Sequence, residues 1–217
     1  MSRLSTIATF TALVLLVPAV ARAQDVGEAR IYLDADANVL GGGSGSVTLR
    51  PMVRTEQRFR VAGLHLLKVS AGLRAGVLPW LMLQGYYAHK DMWSNNTHQQ
   101  FHMAVLDLIL HHRWDHVTLT WRLGNEYHIN PGFYRLRSSF NVSIDPGLRW
   151  LRLFASEEFR FDSDQTRVNM NDVRAGVDFV VTSWLTVRTF YDLELNHRSR
   201  QDWARTHVGG LMFLARY

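Results

Sequence analysis

From Val47 onward, apolar and polar residues alternate with a period of two, as they do in strands with one greasy and one polar face. The clearest stretch is Val117 to His128. Val117, Leu119, Trp121 and Leu123 take one face, and Thr118, Thr120, Arg122, Gly124, Glu126 and His128 take the other. Phe133 to Ile144 repeats it, with Tyr134, Leu136, Phe140, Val142 and Ile144 opposing Arg135, Arg137, Ser139 and Asn141. A helix would scatter these side chains around its circumference, so the pattern predicts strands. Noisier alternation in Val47–Arg58, Leu64–Val77, Leu81–Lys90, Gln100–His112, Leu151–Asp162, Val168–Val181, Leu185–Leu195 and Ala204–Tyr217 brings the expected number to ten.

The connections fall into two alternating classes. Leu78-Pro79-Trp80, Arg113-Trp114-Asp115, Asp145-Pro146-Gly147-Leu148 and Thr182-Ser183 are short. Asp91–Gln99, Ile129–Gly132, Ser163–Arg167 and Asn196–Trp203 are mostly longer and more polar. Such alternation suits an all-β, up-and-down antiparallel barrel of about ten strands, each long enough to span a membrane. An even count puts both termini on the short-turn side. Residues 24–46 read as a lead-in or linker on the periplasmic side. Within them Leu40–Ser46 is a glycine-rich joint, and the weak alternation of Arg30–Val39 leaves an extra strand as the alternative.

Alternation alone does not say which face looks outward. Trp80, Trp114, Trp150 and Trp184 recur at intervals of 34, 36 and 34 residues, each at a short turn. Two strands separate successive members, so they form a ring at one level, as aromatic residues do at a lipid–water interface. Tyr87, Tyr127, Tyr134 and Tyr191 gather near the other end. Leu211, Phe213, Ala215 and Tyr217 alternate up to the final residue, in the manner of a closing barrel strand, and Tyr217 joins the interface aromatics. The polar face carries charges of both signs, including Arg122, Glu126, Arg135, Arg137, Glu158, Arg160, Asp172, Arg174, Arg188 and Asp192. Inside a narrow lumen these must pair. Neighbouring strands offer Glu126 with Arg135 or Arg137, Glu158 with Arg174, and Arg160 with Asp172. The opposite assignment is a soluble barrel whose charged face meets water.

The first 23 residues change the context. Arg3, the apolar run from Ile7 to Val20 and Ala21-Arg22-Ala23 form a secretory signal peptide, which makes residues 47–217 the expected barrel of an exported chain. Losing Arg3 and Arg22 lowers the formal charge from +5 to +3, without a basic run, so nucleic acid is not expected as a partner. No later stretch is apolar for the 18 residues of a spanning helix. The absence of cysteine excludes disulfides, thiolate metal sites and cysteine nucleophiles.

Several segments carry a family likeness: Leu73–Tyr87, Trp121-Arg122-Leu123-Gly124-Asn125-Glu126-Tyr127, Tyr134-Arg135-Leu136-Arg137, Glu157-Glu158-Phe159-Arg160-Phe161 and the terminal strand. On these, roughly Gln57 to Tyr217 resembles the bacterial outer-membrane barrel family catalogued only as domain of unknown function 2490. The resemblance implies a fold and a location in the outer membrane. It lends no activity and no catalytic residues.

Ten histidines raise the question of a metal. His98 and His102 would share a strand face if that strand began early, but about 13 Å apart, too far to grip one ion, and His89 could approach His102 without a carboxylate at the same level. Ser138 lies on the apolar face, where a lipid hydrolase would need it, but His128 takes the opposite face and His207 is remote. No metal, cofactor or catalytic group is therefore expected. The reading is a non-enzymatic outer-membrane barrel, structural or a narrow pore with a charged lumen. Its partners would be membrane lipids and, during biogenesis, the barrel assembly machinery. A soluble periplasmic barrel holding an apolar ligand and an outer-membrane lipid-modifying enzyme are the alternatives.

Overall fold

The computed structural model describes residues 26–39, 47–94, 97–164, 167–197 and 203–216. Eleven strands run through them: β1 (Val26–Asp36), β2 (Thr48–Arg60), β3 (Gly63–Leu78), β4 (Leu81–Ser94), β5 (Thr97–Trp114), β6 (Val117–His128), β7 (Phe133–Ile144), β8 (Leu151–Asp162), β9 (Arg167–Val180), β10 (Leu185–His197) and β11 (Trp203–Arg216). Each strand pairs with its neighbours in sequence, and β1 pairs with β11, so the sheet closes on itself. Among the described residues there is no helix. Residues 1–23, the joint at 40–46 and Tyr217 lie outside them.

Strands β2 to β11 match the ten segments of alternating polarity. The eleventh is β1, the extra strand that was the alternative reading of residues 24–46. It runs parallel to β11, with Ala29 opposite Gly209 and Asp36 opposite Arg216, and antiparallel to β2. One added strand reverses the parity. β1 starts at the end of the barrel that carries the longer connections, whereas β11 finishes at the short-turn end. The two ends of the described chain therefore lie at opposite mouths, in contrast to the even count expected from the pattern.

Side-chain orientation follows the pleat. On β6 and β7 the outward pairs are Leu119–Val142, Trp121–Phe140 and Leu123–Ser138, and the Trp121 and Phe140 rings stack 5.5 Å apart. These apolar side chains are substantially exposed, as are Leu73, Leu106, Leu136, Leu153 and Val173 elsewhere around the wall. The charged rows point inward. Arg30, Asp107 and Asp192 are almost completely buried, although all three are ionisable. The barrel is thus apolar outside and polar within, the reverse of a water-soluble barrel.

Two smaller apolar clusters also lie inside. One joins Met52, Tyr86, Ala88, Met103 and Val105; the other joins Tyr32, Phe154, Phe190 and Val208, with Met212 against it. They fit because the wall is thinned opposite the rings. A Cβ on Gly210 would fall 2.0 Å from the Phe190 ring, and one on Gly72 would lie 2.2 Å from the Gly85 carbonyl and 2.6 Å from the Tyr86 Cα. At Gly72 the obstruction is backbone, which cannot swing aside.

Gly72→Ala should therefore destabilise the barrel by about 1–3 kcal/mol through overpacking. Gly209→Ala, whose new methyl meets nothing within 4 Å, should leave the urea midpoint of the refolded protein nearly unchanged.

Candidate functional site

The inward rows form a series of ion-pair clusters. At its most buried point Arg30 lies between Asp192 (3.3 Å), Glu28 (3.4 Å) and Glu194, with which it makes a short contact. Strand β1 supplies Arg30, Glu28, Asp34 and Asp36 from one face, because residues two apart point the same way. Asp34 accepts from Arg54 at 2.5 Å and from Arg74 at 2.9 Å, and Asp36 also takes Arg74. Towards the long-loop mouth, Glu28 accepts from Arg60 at 2.7 Å, and the Tyr32 hydroxyl donates to Glu56 at 3.2 Å.

The opposite wall is organised around Asp107. It accepts from Arg122 at 2.5 Å, from Gln84 at 2.8 Å and from Arg137 at 3.3 Å, and Arg137 also reaches Glu126 at 3.0 Å. The Tyr86 hydroxyl accepts from both Arg137 and Arg122, at 3.1 and 3.4 Å. Further round, Arg160 bridges Glu158 (2.6 Å) and Asp172 (2.8 Å), Arg174 holds Asp192 (2.7 Å), Arg188 holds Asp178 (2.6 Å) and Arg135 holds Asp162 (2.5 Å). Arginine predominates, its planar fork able to bind a carboxylate with two parallel bonds. Arg135 and Arg188 each do so, to Asp162 and Asp178.

All ten charged residues singled out from the sequence face this lumen. Two of the expected pairs form, Glu126 with Arg137 and Arg160 with Asp172. The third does not: Arg174 takes Asp192 on β10 rather than Glu158 on β8, while Arg135, the other arginine within reach of Glu126, takes Asp162. An arginine on β9 borders both strands and settles on the carboxylate its fork meets in register, since Asp192 is its direct cross-strand partner. The sequence reading left out the whole contribution of β1, and with it Arg30. It also left out the aromatic platforms: Arg188 lies 3.8 Å from the centre of the Phe154 ring, and Arg174 lies 4.6 Å from that of Phe190.

Trp80, Trp114, Trp150 and Trp184 sit exposed at the short-turn end; Tyr87, Tyr127, Tyr134 and Tyr191 are exposed towards the other. Two features of the outer wall differ from expectation or sharpen it. The His89–His102 pair does form, with Nδ1 atoms 3.5 Å apart, and a carboxylate accompanies it: Asp91 bonds His89 at 2.9 Å and His98 at 2.8 Å. The level was misjudged because the β4–β5 ladder runs to Ser94 and Thr97, further than the alternation shows. Among the described residues, no group of three or more His, Asp and Glu is arranged to hold a metal ion. Ser138 Oγ accepts a hydrogen bond from Trp121 Nε1 at 3.1 Å, while His128 points into the lumen beside Glu126.

The lumen is not filled throughout. A cavity of about 760 Å³ opens towards the short-turn end, lined by Arg50, Arg54, Arg74, Arg122, Arg160, Arg174, Arg188 and Arg216 with Asp34, Asp36, Glu158 and Asp172. A second, of about 330 Å³, continues towards the long-loop end and shares Asp34, Arg54, Arg122, Glu158, Arg160, Arg174, Arg188 and Arg216 with it. Compared with known proteins, the chain matches no family model and no curated protein.

Replacing Arg30 by leucine strands Asp192, Glu194 and Glu28 without their shared cation. A loss of about 3–5 kcal/mol is expected, as when one partner of a buried ion pair is removed, measured as a lower denaturant midpoint. Arg216→Gln, at an exposed position, should shift that midpoint little.

Proposed function

We propose that the protein is a non-enzymatic outer-membrane β-barrel of a bacterium, whose charged lumen forms a narrow aqueous path. The observation that carries this is the inversion of polarity: Leu, Val, Trp and Phe cover the outer wall, and ion pairs fill the inner one. Left in water, so large an apolar surface would drive association. Facing acyl chains, it needs no further cover, and backbone groups that are paired around a closed ring meet lipid's demand for internal hydrogen bonding.

The dimensions agree. Tyr134 and Ile144 both face outward on β7, ten residues apart. At about 3.4 Å per residue and a tilt of roughly 40°, that rise covers about 26 Å, close to the roughly 25 Å apolar band of such barrels. The tryptophans at the short turns and the tyrosines towards the long loops would then mark the two interfaces, with the short turns periplasmic. Lipids, and the assembly machinery that reads a closing strand, are the partners this reading requires. The resemblance to the uncharacterised barrel family points the same way.

The alternatives fit the geometry less well. A periplasmic carrier of an apolar ligand needs a greasy interior, and here arginines line the cavity. A lipid hydrolase needs a histidine beside Ser138, whose hydroxyl instead accepts from Trp121.

Cell fractionation with gel mobility tests the proposal directly. The protein should remain with carbonate-washed outer membranes and migrate differently before and after heating; carbonate-soluble, unshifted protein would remove the reading. In lipid vesicles, Phe140→Arg should cost about 2–4 kcal/mol, the penalty for a cation near the bilayer midplane, whereas Phe140→Leu should be nearly neutral. Planar-bilayer conductance decides between a conducting path and a purely structural barrel.

A further inference from the structure

The cavity at the short-turn end has cations left over. Arg122, Arg174 and Arg188 each keep a carboxylate of the wall behind them, Asp107, Asp192 and Asp178. Arg216 has no ion pair or hydrogen bond from its guanidinium among the described residues. Arg50 comes no nearer than 3.8 Å to Asp36, a carboxylate that Arg74 already holds, and its buried Nε has no partner. These two arginines stand on the strands either side of β1, flanking Asp36 at the mouth.

The facing wall is of a different kind. Thr120, Ser139, Asn141 and Ser156, on β6 to β8, bring uncharged hydroxyl and amide groups to the same cavity. Among the described residues none of these side chains makes a hydrogen bond. Two guanidinium groups that share Asp36 with Arg74 and have no carboxylate of their own, facing a row of free neutral donors across a cavity of about 760 Å³, leave room for one kind of group: an acceptor bearing negative charge.

We propose that this chamber binds a small oxyanion, a phosphate or carboxylate group. Arg50 and Arg216 hold its charge, and the uncharged hydroxyl and amide groups of the facing wall, Thr120, Ser139 and Asn141, line the rest of the chamber. The proposal rests on the reading of the lumen as water-filled and open at the short-turn mouth. Chloride, a single atom, cannot take two parallel bonds from a guanidinium fork as an oxyanion can, so the site discriminates by shape as well as by charge.

Calorimetric titration of the refolded full chain in detergent micelles tests this, using inorganic phosphate and citrate in separate arms with sodium chloride at matched ionic strength. Saturable binding is expected in at least one oxyanion arm and none with chloride, and the arm that responds identifies phosphate or carboxylate as the group. Arg216→Gln should weaken binding about tenfold, the loss of one charge-assisted hydrogen bond, and Arg50→Gln similarly, with heat-modifiable mobility confirming that each variant is folded. Absence of saturation in both arms, an equal response to chloride, or unchanged affinity in Arg216→Gln would overturn the proposal. A barrel that inserts into membranes yet binds neither anion loses only this inference, and one that binds in micelles but fails to insert loses only the membrane reading.

Discussion

An ion facing the inside of a narrow barrel has few places to find its opposite. Adjacent strands lie about 4.8 Å apart, so an arginine side chain can reach the next strand or the one beyond it. The lumen uses both ranges. Arg54 and Arg135 pair with the neighbouring strand, whereas Arg30 reaches from β1 to Asp192 on β10, Arg74 from β3 to Asp34 on β1, and Arg137 from β7 to Asp107 on β5. These longer links cross the concave side of the wall and tie strands that share no backbone hydrogen bonds. A slip of one residue would turn every such ion to the outer face. Charge pairing therefore specifies register here more stringently than the apolar outer surface, which tolerates almost any greasy side chain.

The same constraint explains why the interior is uneven. Around β1 the space is taken by Tyr32, Phe154, Phe190, Val208 and Met212, and arginines lie over the rings. There a guanidinium gains from the ring face as well as from its carboxylate. Across the barrel, β6 to β8 contribute serine, threonine and asparagine near the short-turn end, which are too short to fill the gap, so a cavity remains. Packing on one side and vacancy on the other come from side-chain length along rows of equal polarity.

Much of this was legible in the sequence. The period of two located β2 to β11 within a few residues, and the recurring tryptophans indicated which ends of the strands lie together. Strand β1 was harder. Its outward row is Ile31, Leu33 and Ala35, weakly apolar because alanine contributes little, and the glycine-rich joint after it resembles a linker. Its inward row, Glu28, Arg30, Tyr32, Asp34 and Asp36, has the character of the other lumen rows, so the signal lay on the polar face rather than the greasy one. Pairings such as Arg30 with Asp192 could not be read from neighbouring hairpins, because they exist only once the ring is closed. Arg174 shows the remaining ambiguity: with carboxylates on both flanking strands, only the register decides.

The parallel contact between β1 and β11 also bears on the order of events during assembly. Arg30 and Asp192 are 162 positions apart, so Arg30 waits for nearly the latest part of the described chain before it meets that carboxylate, whereas Glu28, Asp34 and Asp36 find arginines on β2 and β3. Hairpins in between can zip up locally, but joining such distant segments carries the full entropy of closing a long loop. Completion of the ring is thus the step that brings the first described strand onto the last and Arg30 onto Asp192.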